Sequence, residues 1–174
     1  LPLDLMGVFG LRDLAVQPDI LDRLVEIRPE LLLITGGENA GNAEPVKAWI
    51  ETARTLCLLL PLDIRPDVIF AGNPDLQERV QRRLEPYARV HFVPNLQPLA
   101  GHTDLAPAQS VADEIICRRW QETFPGWRDL VRIAEGQAST LSFGLNRMMR
   151  FLSLATSPAD IERGVAAVDL GGGW

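Results

Sequence analysis

The sequence has 174 residues, of which 47% are hydrophobic and 23% charged. A chain of this size and composition can bury a globular core, which excludes the disordered, fibrous and disulfide-stapled classes. The net charge of −6, with scattered basic residues, excludes nucleic acid as a partner, and no apolar run is long enough to span a membrane.

Cys57 and Cys117 have no cysteine or histidine at metal-ligand spacing, so they are predicted to be reduced thiols. Residues 1–10 lack the basic start of a signal peptide. We therefore expect a cytoplasmic protein. The sequence starts without Met and stops in a glycine run, from which we expect an internal piece of a longer chain.

The first half alternates strand and helix patterns. Three short apolar runs are typical of buried strands, namely Leu31–Thr35, Asp67–Ala71 and Arg89–Val93. Helical spacing of apolar residues follows the first two runs, in Val46–Leu56 and Leu76–Leu84, and also precedes the first, in Pro18–Ile27. Strands that alternate with helices indicate a parallel sheet with right-handed crossovers.

The second half is predicted to be mainly helical. Helical patterns cover Pro107–Phe124, Trp127–Glu135 and Ala138–Ala155, and a further strand, Gly164–Asp169, runs into glycines.

The predicted fold class is therefore α/β, with an open, mainly parallel sheet and flanking helices in three layers of the Rossmann or flavodoxin type. We expect a strand-loop-helix domain over residues 1–100. A mainly helical segment over residues 101–174 would follow it, ending in a strand and a glycine loop.

Asparagine follows each of the three strands, at Asn42, Asn73 and Asn95. The carboxyl ends of parallel strands share one edge, where ligands bind, so we expect the three residues to lie together. Asn42 and Asn73 also have the position of helix N-caps, and the two roles are compatible.

The loop from Gly36 to Asn42 joins a buried strand to a helix start, where backbone N–H groups and the helix dipole favour an anion. Its spacing matches neither the dinucleotide fingerprint nor the Walker motif. A tight structural turn is the alternative interpretation.

Asp169 ends the last predicted strand and is followed by glycines, a pattern that can hold a metal ion beside phosphate oxygens. His91 and His102 have no nucleophile or metal ligand near them in sequence, so no catalytic residue is predicted. The predicted ligand-binding or phosphate-binding residues are Gly36, Gly37, Asn39, Gly41, Asn42, Gly72, Asn73, Asn95, Asp169, Gly171 and Gly172, with Asp169 also the candidate metal ligand.

Three segments in this order, Pro29–Asn42, Val68–Asn73 and Val168–Gly172, resemble the MutL proteins associated with adenosylcobalamin-dependent glutamate mutase. These proteins are unrelated to the mismatch-repair protein of the same name. The resemblance implies an ATPase-like fold of the sugar kinase/Hsp70/actin-like superfamily, whose second phosphate loop would match Asp169–Gly172. It also implies a chaperone or reactivating role toward a cobalamin-dependent mutase.

The resemblance therefore predicts an internal domain of an accessory protein, without catalysis of its own. No cofactor is expected in this segment, while ATP and Mg²⁺ would belong to the parent protein. The expected partners are other domains of the parent chain and a cobalamin-dependent mutase, and the oligomeric state is left open. The alternative is a small-anion or nucleotide-binding domain that uses the crevice at the strand ends.

Overall fold

The computed structural model describes residues 4–39, 41–123, 125–135 and 141–155. The chain divides into two compact units, one formed by Leu3–Ile115 and the other mainly by Ile116–Trp174. The sheet and the candidate site lie in the first unit. The expected division into residues 1–100 and 101–174 stays a prediction.

The sheet has three strands in the part of the chain that the structure describes: β1 (Leu31–Gly36), β2 (Asp67–Gly72) and β3 (Val90–Phe92). They lie in the order β1-β2-β3, and both pairs are parallel. This confirms the predicted α/β class and the parallel pairing. The predicted strand Gly164–Asp169 lies outside the described residues.

Seven α-helices are described. They are α1 (Asp13–Val16), α2 (Ile20–Ile27), α3 (Glu44–Leu59), α4 (Gln77–Leu84), α5 (Ala106–Thr123), α6 (Trp127–Ile133) and α7 (Leu141–Ala155). The short helix α1 was not predicted, and a 3-10 turn, Pro74–Leu76, precedes α4. No helix among the described residues is long and apolar enough to cross a membrane.

Strand β2 is the centre of the first unit, because all six of its residues are buried. Successive side chains of a strand point to opposite faces. Val68 and Phe70 accordingly belong to one core cluster, with residues of α3 and α4, whereas Ile69 and Ala71 belong to another, with residues of α5. Helices therefore cover both faces of this strand.

The two crossover helices lie on the same face of the sheet, as two connections of the same hand in one direction require. Helix α3 contributes Val46 and Ile50 to this core, and α4 contributes Val80 and Leu84, all of them fully buried. Their spacing places each pair on one helical stripe. Apolar contact between the helices and the sheet is thus the main cohesion of this layer.

An ion-pair cluster joins the outer surfaces of α3 and α4. Glu51 of α3 accepts a hydrogen bond of 3.1 Å from Nη2 of Arg79 and one of 2.8 Å from Nε of Arg83. The hydrogen bond from Arg83 is the main cause that lowers the pKa of Glu51 below its ordinary value. The cluster therefore favours the ionised form of Glu51 in the folded protein.

Substitution Glu51→Gln should reduce stability at neutral pH, and the reduction should disappear in acid. A lowered carboxyl pKa stabilises the fold above the unfolded-state value of about 4.3, and this contribution is lost as pH falls through the folded-state pKa. Urea unfolding of the wild type and of Glu51→Gln from pH 7 to pH 3 measures the difference in unfolding free energy.

Glu78→Gln is the matched control, because the Glu78 side chain is 79% exposed and lies 3.6 Å from its nearest arginine nitrogen. It should change the unfolding free energy by less than about 0.5 kcal/mol at neutral pH. A stability difference between wild type and Glu51→Gln that does not change across the pH range would contradict the ion-pair explanation.

Candidate functional site

The predicted asparagine edge is present at the carboxyl ends of the strands. Nδ2 of Asn95 donates to the carbonyl of Gly37 at 2.8 Å and to Oδ1 of Asn39 at 2.9 Å. Its Oδ1 accepts from the backbone N–H of Gln97 at 3.1 Å. Asn95, which follows β3, thus holds the loop that follows β1, and its amide has partners at both ends.

Asn73 holds the same loop from the end of β2. Its Nδ2 donates to the carbonyl of Glu38 at 3.0 Å, and its backbone N–H donates to the carbonyl of Gly36 at 3.1 Å. Its Oδ1 accepts from the backbone N–H of Asp75 at 2.9 Å, which confirms the predicted N-cap. The Asn73 residue is fully buried, and its side-chain hydrogen bonds are partly buried.

The N-cap of α3 is Ala43, so the N-cap role predicted for Asn42 was wrong, although the Asn42 side chain still contacts the start of the helix. Its Oδ1 accepts from the N–H of Glu44 at 3.0 Å, Pro45 has no N–H, and the N–H groups of residues 46–47 donate to the carbonyl of Ala43. The N–H groups of the first helical turn are therefore engaged, and the Glu44 carboxylate stands beside them. The helix start as folded gives an anion little to bind, and a phosphate role for this loop stays a prediction.

Backbone geometry explains why glycine occupies positions on this edge. Gly36 and Gly37 have φ angles of 121° and 73°, where side chains are strained. At Gly72, a Cβ atom would lie 2.9 Å from the carbonyl oxygen of Gly36. Gly41 donates its N–H to the carbonyl of Glu38 at 2.9 Å. The tight approach of the two strand ends therefore requires glycine whether or not a ligand binds.

The remaining predicted residues, Asp169, Gly171 and Gly172, lie outside the described residues. Within the described ranges, no group of three or more histidine, cysteine or acidic side chains could hold a metal ion. Cys57 and Cys117 do not form a disulfide bond, and burial raises the pKa of Cys57.

One polar pair was missed at the sequence level. Nε2 of His91 lies 3.0 Å from Oδ1 of Asp67, which is buried at the amino end of β2. The two residues are 24 positions apart and meet only because His91 pairs with Ile69 in the sheet. The pair lies at the end of the sheet away from the asparagines, so it is separate from the candidate site.

The edge of the sheet is built from glycines, amides and carbonyl groups that bind one another. Such groups position a loop, and they supply neither a nucleophile nor a general base. The fold and this edge together define an α/β domain with an asparagine-clamped glycine loop.

The family model described as MutL protein matches residues 8–173, and the chain therefore belongs to the MutL family. Comparison with curated proteins and with solved structures found no significant match.

Substitution Asn95→Asp should loosen the loop that follows β1, although the new side chain has almost the same shape as the old one. The carboxylate retains an acceptor for Gln97 but loses the Nδ2 donor to Gly37 and Asn39. Loss of the hydrogen bond to the half-buried Gly37 should cost about 1 kcal/mol. Hydrogen exchange at the N–H groups of Asn39 and Gly41 should accelerate by about fivefold or more.

Asn42→Asp is the matched control, because a carboxylate at this position still accepts from the N–H of Glu44 and suits a helix start. Exchange at the same two N–H groups should stay within about twofold of wild type. Equal acceleration in both variants would mean that Asn95 does not clamp the loop.

Substitution Gly72→Ala should destabilise the protein by about 1–3 kcal/mol, because the new methyl group meets a backbone carbonyl rather than a flexible side chain. Gly144→Ala provides the same chemical change in open space on α7, where it should be neutral or stabilising by about 1 kcal/mol. Thermal unfolding monitored by circular dichroism compares them. An unchanged melting temperature for Gly72→Ala would contradict the close approach of the strands.

Proposed function

We propose that this chain is a domain of an accessory protein for an adenosylcobalamin-dependent mutase, of the glutamate mutase type. It acts through contacts with the other domains of its parent protein and with the mutase. Membership of the MutL family supports the proposal, together with the three segments that resemble mutase-associated members. The parent protein would have the ATPase-like architecture of the sugar kinase/Hsp70/actin-like superfamily.

The observation that carries the proposal is the internal engagement of the strand-end edge. Donors that could recognise a substrate, Nδ2 of Asn73 and Nδ2 of Asn95, are bonded to the backbone of the glycine loop. A ligand would have to replace these part-buried bonds, and each polar group left both buried and unpaired would cost about 1–3 kcal/mol. The strand-end edge is therefore better suited to serve as a rigid scaffold than to bind a substrate in a catalytic pocket.

Nucleotide chemistry is assigned to the parent protein rather than to the loop after β1. The N–H groups at the start of α3 already have partners, so they give a phosphate little to bind. Asp169, Gly171 and Gly172 are the residues that would approach Mg²⁺ and phosphate, by the resemblance of their segment to the second phosphate loop. This assignment leaves the described residues with a structural role.

Complex formation with the mutase tests the accessory role. The full-length parent protein, mixed with glutamate mutase at micromolar concentration, should co-elute with it in size-exclusion chromatography. With Mg-ATP and fresh adenosylcobalamin it should also restore turnover to inactivated enzyme. A mutase that does not use cobalamin, as a control, should elute separately.

Calorimetry of the full-length protein with Mg-ATP tests the ATPase part separately. Heat of binding and a higher melting temperature at millimolar nucleotide are expected. The absence of both would remove the ATPase assignment. Separate elution from glutamate mutase, together with no recovery of turnover, would remove the accessory role.

A further inference from the structure

Helix α4 carries three arginines that line one open depression on the surface of the first unit. Arg79, Arg82 and Arg83 surround a volume of about 460 Å³. Their spacing of three and four residues places them on adjacent turns of one helix surface. All three residues that line the depression are therefore cationic at their tips, while their carbon stems form much of its wall.

The positive charge of this depression is only partly neutralised. Arg79 and Arg83 share a single carboxylate, that of Glu51. Arg82 has Glu78 at 3.6 Å, which is longer than a hydrogen bond. The three guanidinium groups are thus balanced by only two carboxylates. This surface has a local excess of positive charge, although the protein as a whole has a net charge of −6.

Glu51 also holds two of the three arginine side chains in place before any partner binds. Glu51 fixes Arg83 through both Nε and Nη2, and it fixes Arg79 through Nη2. Arg82 is 70% exposed and extends from the same surface without such a clamp. An incoming carboxylate would meet the guanidinium of Arg82 beside those of Arg79 and Arg83, which Glu51 already holds in place. Binding would therefore cost less side-chain entropy than it would with three mobile arginines.

We propose that this arginine depression binds an acidic segment, rich in Asp and Glu, of a partner protein. The planar guanidinium fork matches carboxylates in a bidentate manner. The depression is open and lined by long charged side chains, whereas sites for small metabolites are usually enclosed clefts. Its shape and chemistry therefore fit carboxylates presented by another polypeptide, and this inference does not depend on the identity of the mutase.

The protein carries a net negative charge, so attraction of an acidic peptide requires a local excess of arginine, as at this depression. Salt should weaken such binding strongly, because exposed charges are screened over about 8–10 Å at physiological ionic strength.

The probe is a fluorescein-labelled peptide of eight glutamates, titrated with the protein at 50 mM and 300 mM salt and followed by anisotropy. We expect saturable binding at low salt that weakens at high salt. Arg82→Gln should weaken it by about fivefold or more, since it removes the unclamped charge. Arg82→Lys, which keeps the charge but not the fork, should recover part of the affinity.

Arg12→Gln is the matched control, because Arg12 is exposed on the first unit and does not line the depression. It changes the net charge equally and should leave peptide affinity within about twofold. Arg82→Gln should keep the wild-type melting temperature, since Arg82 takes no part in the bond to α3.

Three results would overturn the proposal. The first is no saturable binding at 50 mM salt. The second is equal weakening by Arg82→Gln and Arg12→Gln, which would indicate general charge attraction. The third is displacement of the peptide by inorganic phosphate with a dissociation constant lower than that of the peptide. This result would indicate a small-anion site instead.

Discussion

The burial of β2 constrains the first unit more than any other feature. The strand has a partner on each edge and helices over both faces, so the chain must leave the sheet at Gly72 within a nearly dry environment. The backbone carbonyls of the neighbouring loop lie in the same place and require hydrogen-bond donors. Asn73 and Asn95 provide them from the adjacent strand ends. Glycine at positions 36 and 72 then allows the two strand ends to approach each other.

The sequence predicted this framework because its signals are local. Apolar runs such as Leu31–Thr35 and helical stripes such as Val46–Leu56 depend only on neighbouring residues, and the topology of a parallel sheet then places the asparagines at one edge. The N-cap role of Asn73 was predictable for the same reason, since Pro74 directly follows it. These parts of the fold are confirmed.

The partners of polar side chains could not be predicted in this way. Asn95 reaches the loop after β1 across 58 positions, and the direction of its amide depends on where the loop carbonyls lie. His91 meets Asp67 only through strand register. The clamp of Glu51 on α4 depends on the relative rotation of two helices. The ligand role predicted for the edge stays untested, and the strand predicted at Gly164–Asp169 lies outside the described residues.

The two polar surfaces of the first unit differ in how much of their bonding capacity remains available. At the strand edge, the amides of Asn73 and Asn95 have partners at both ends, so a ligand can bind there only by replacing existing bonds. On α4, Arg82 is 70% exposed and its carboxylate contact among the described residues is the solvent-exposed ion pair with Glu78 at 3.6 Å, so a partner can bind by displacing only a weak surface contact. Recognition through exposed charge changes association rate and specificity more than it changes the fold. Of the two surfaces, the helical one therefore allows recognition with the smaller loss of existing contacts.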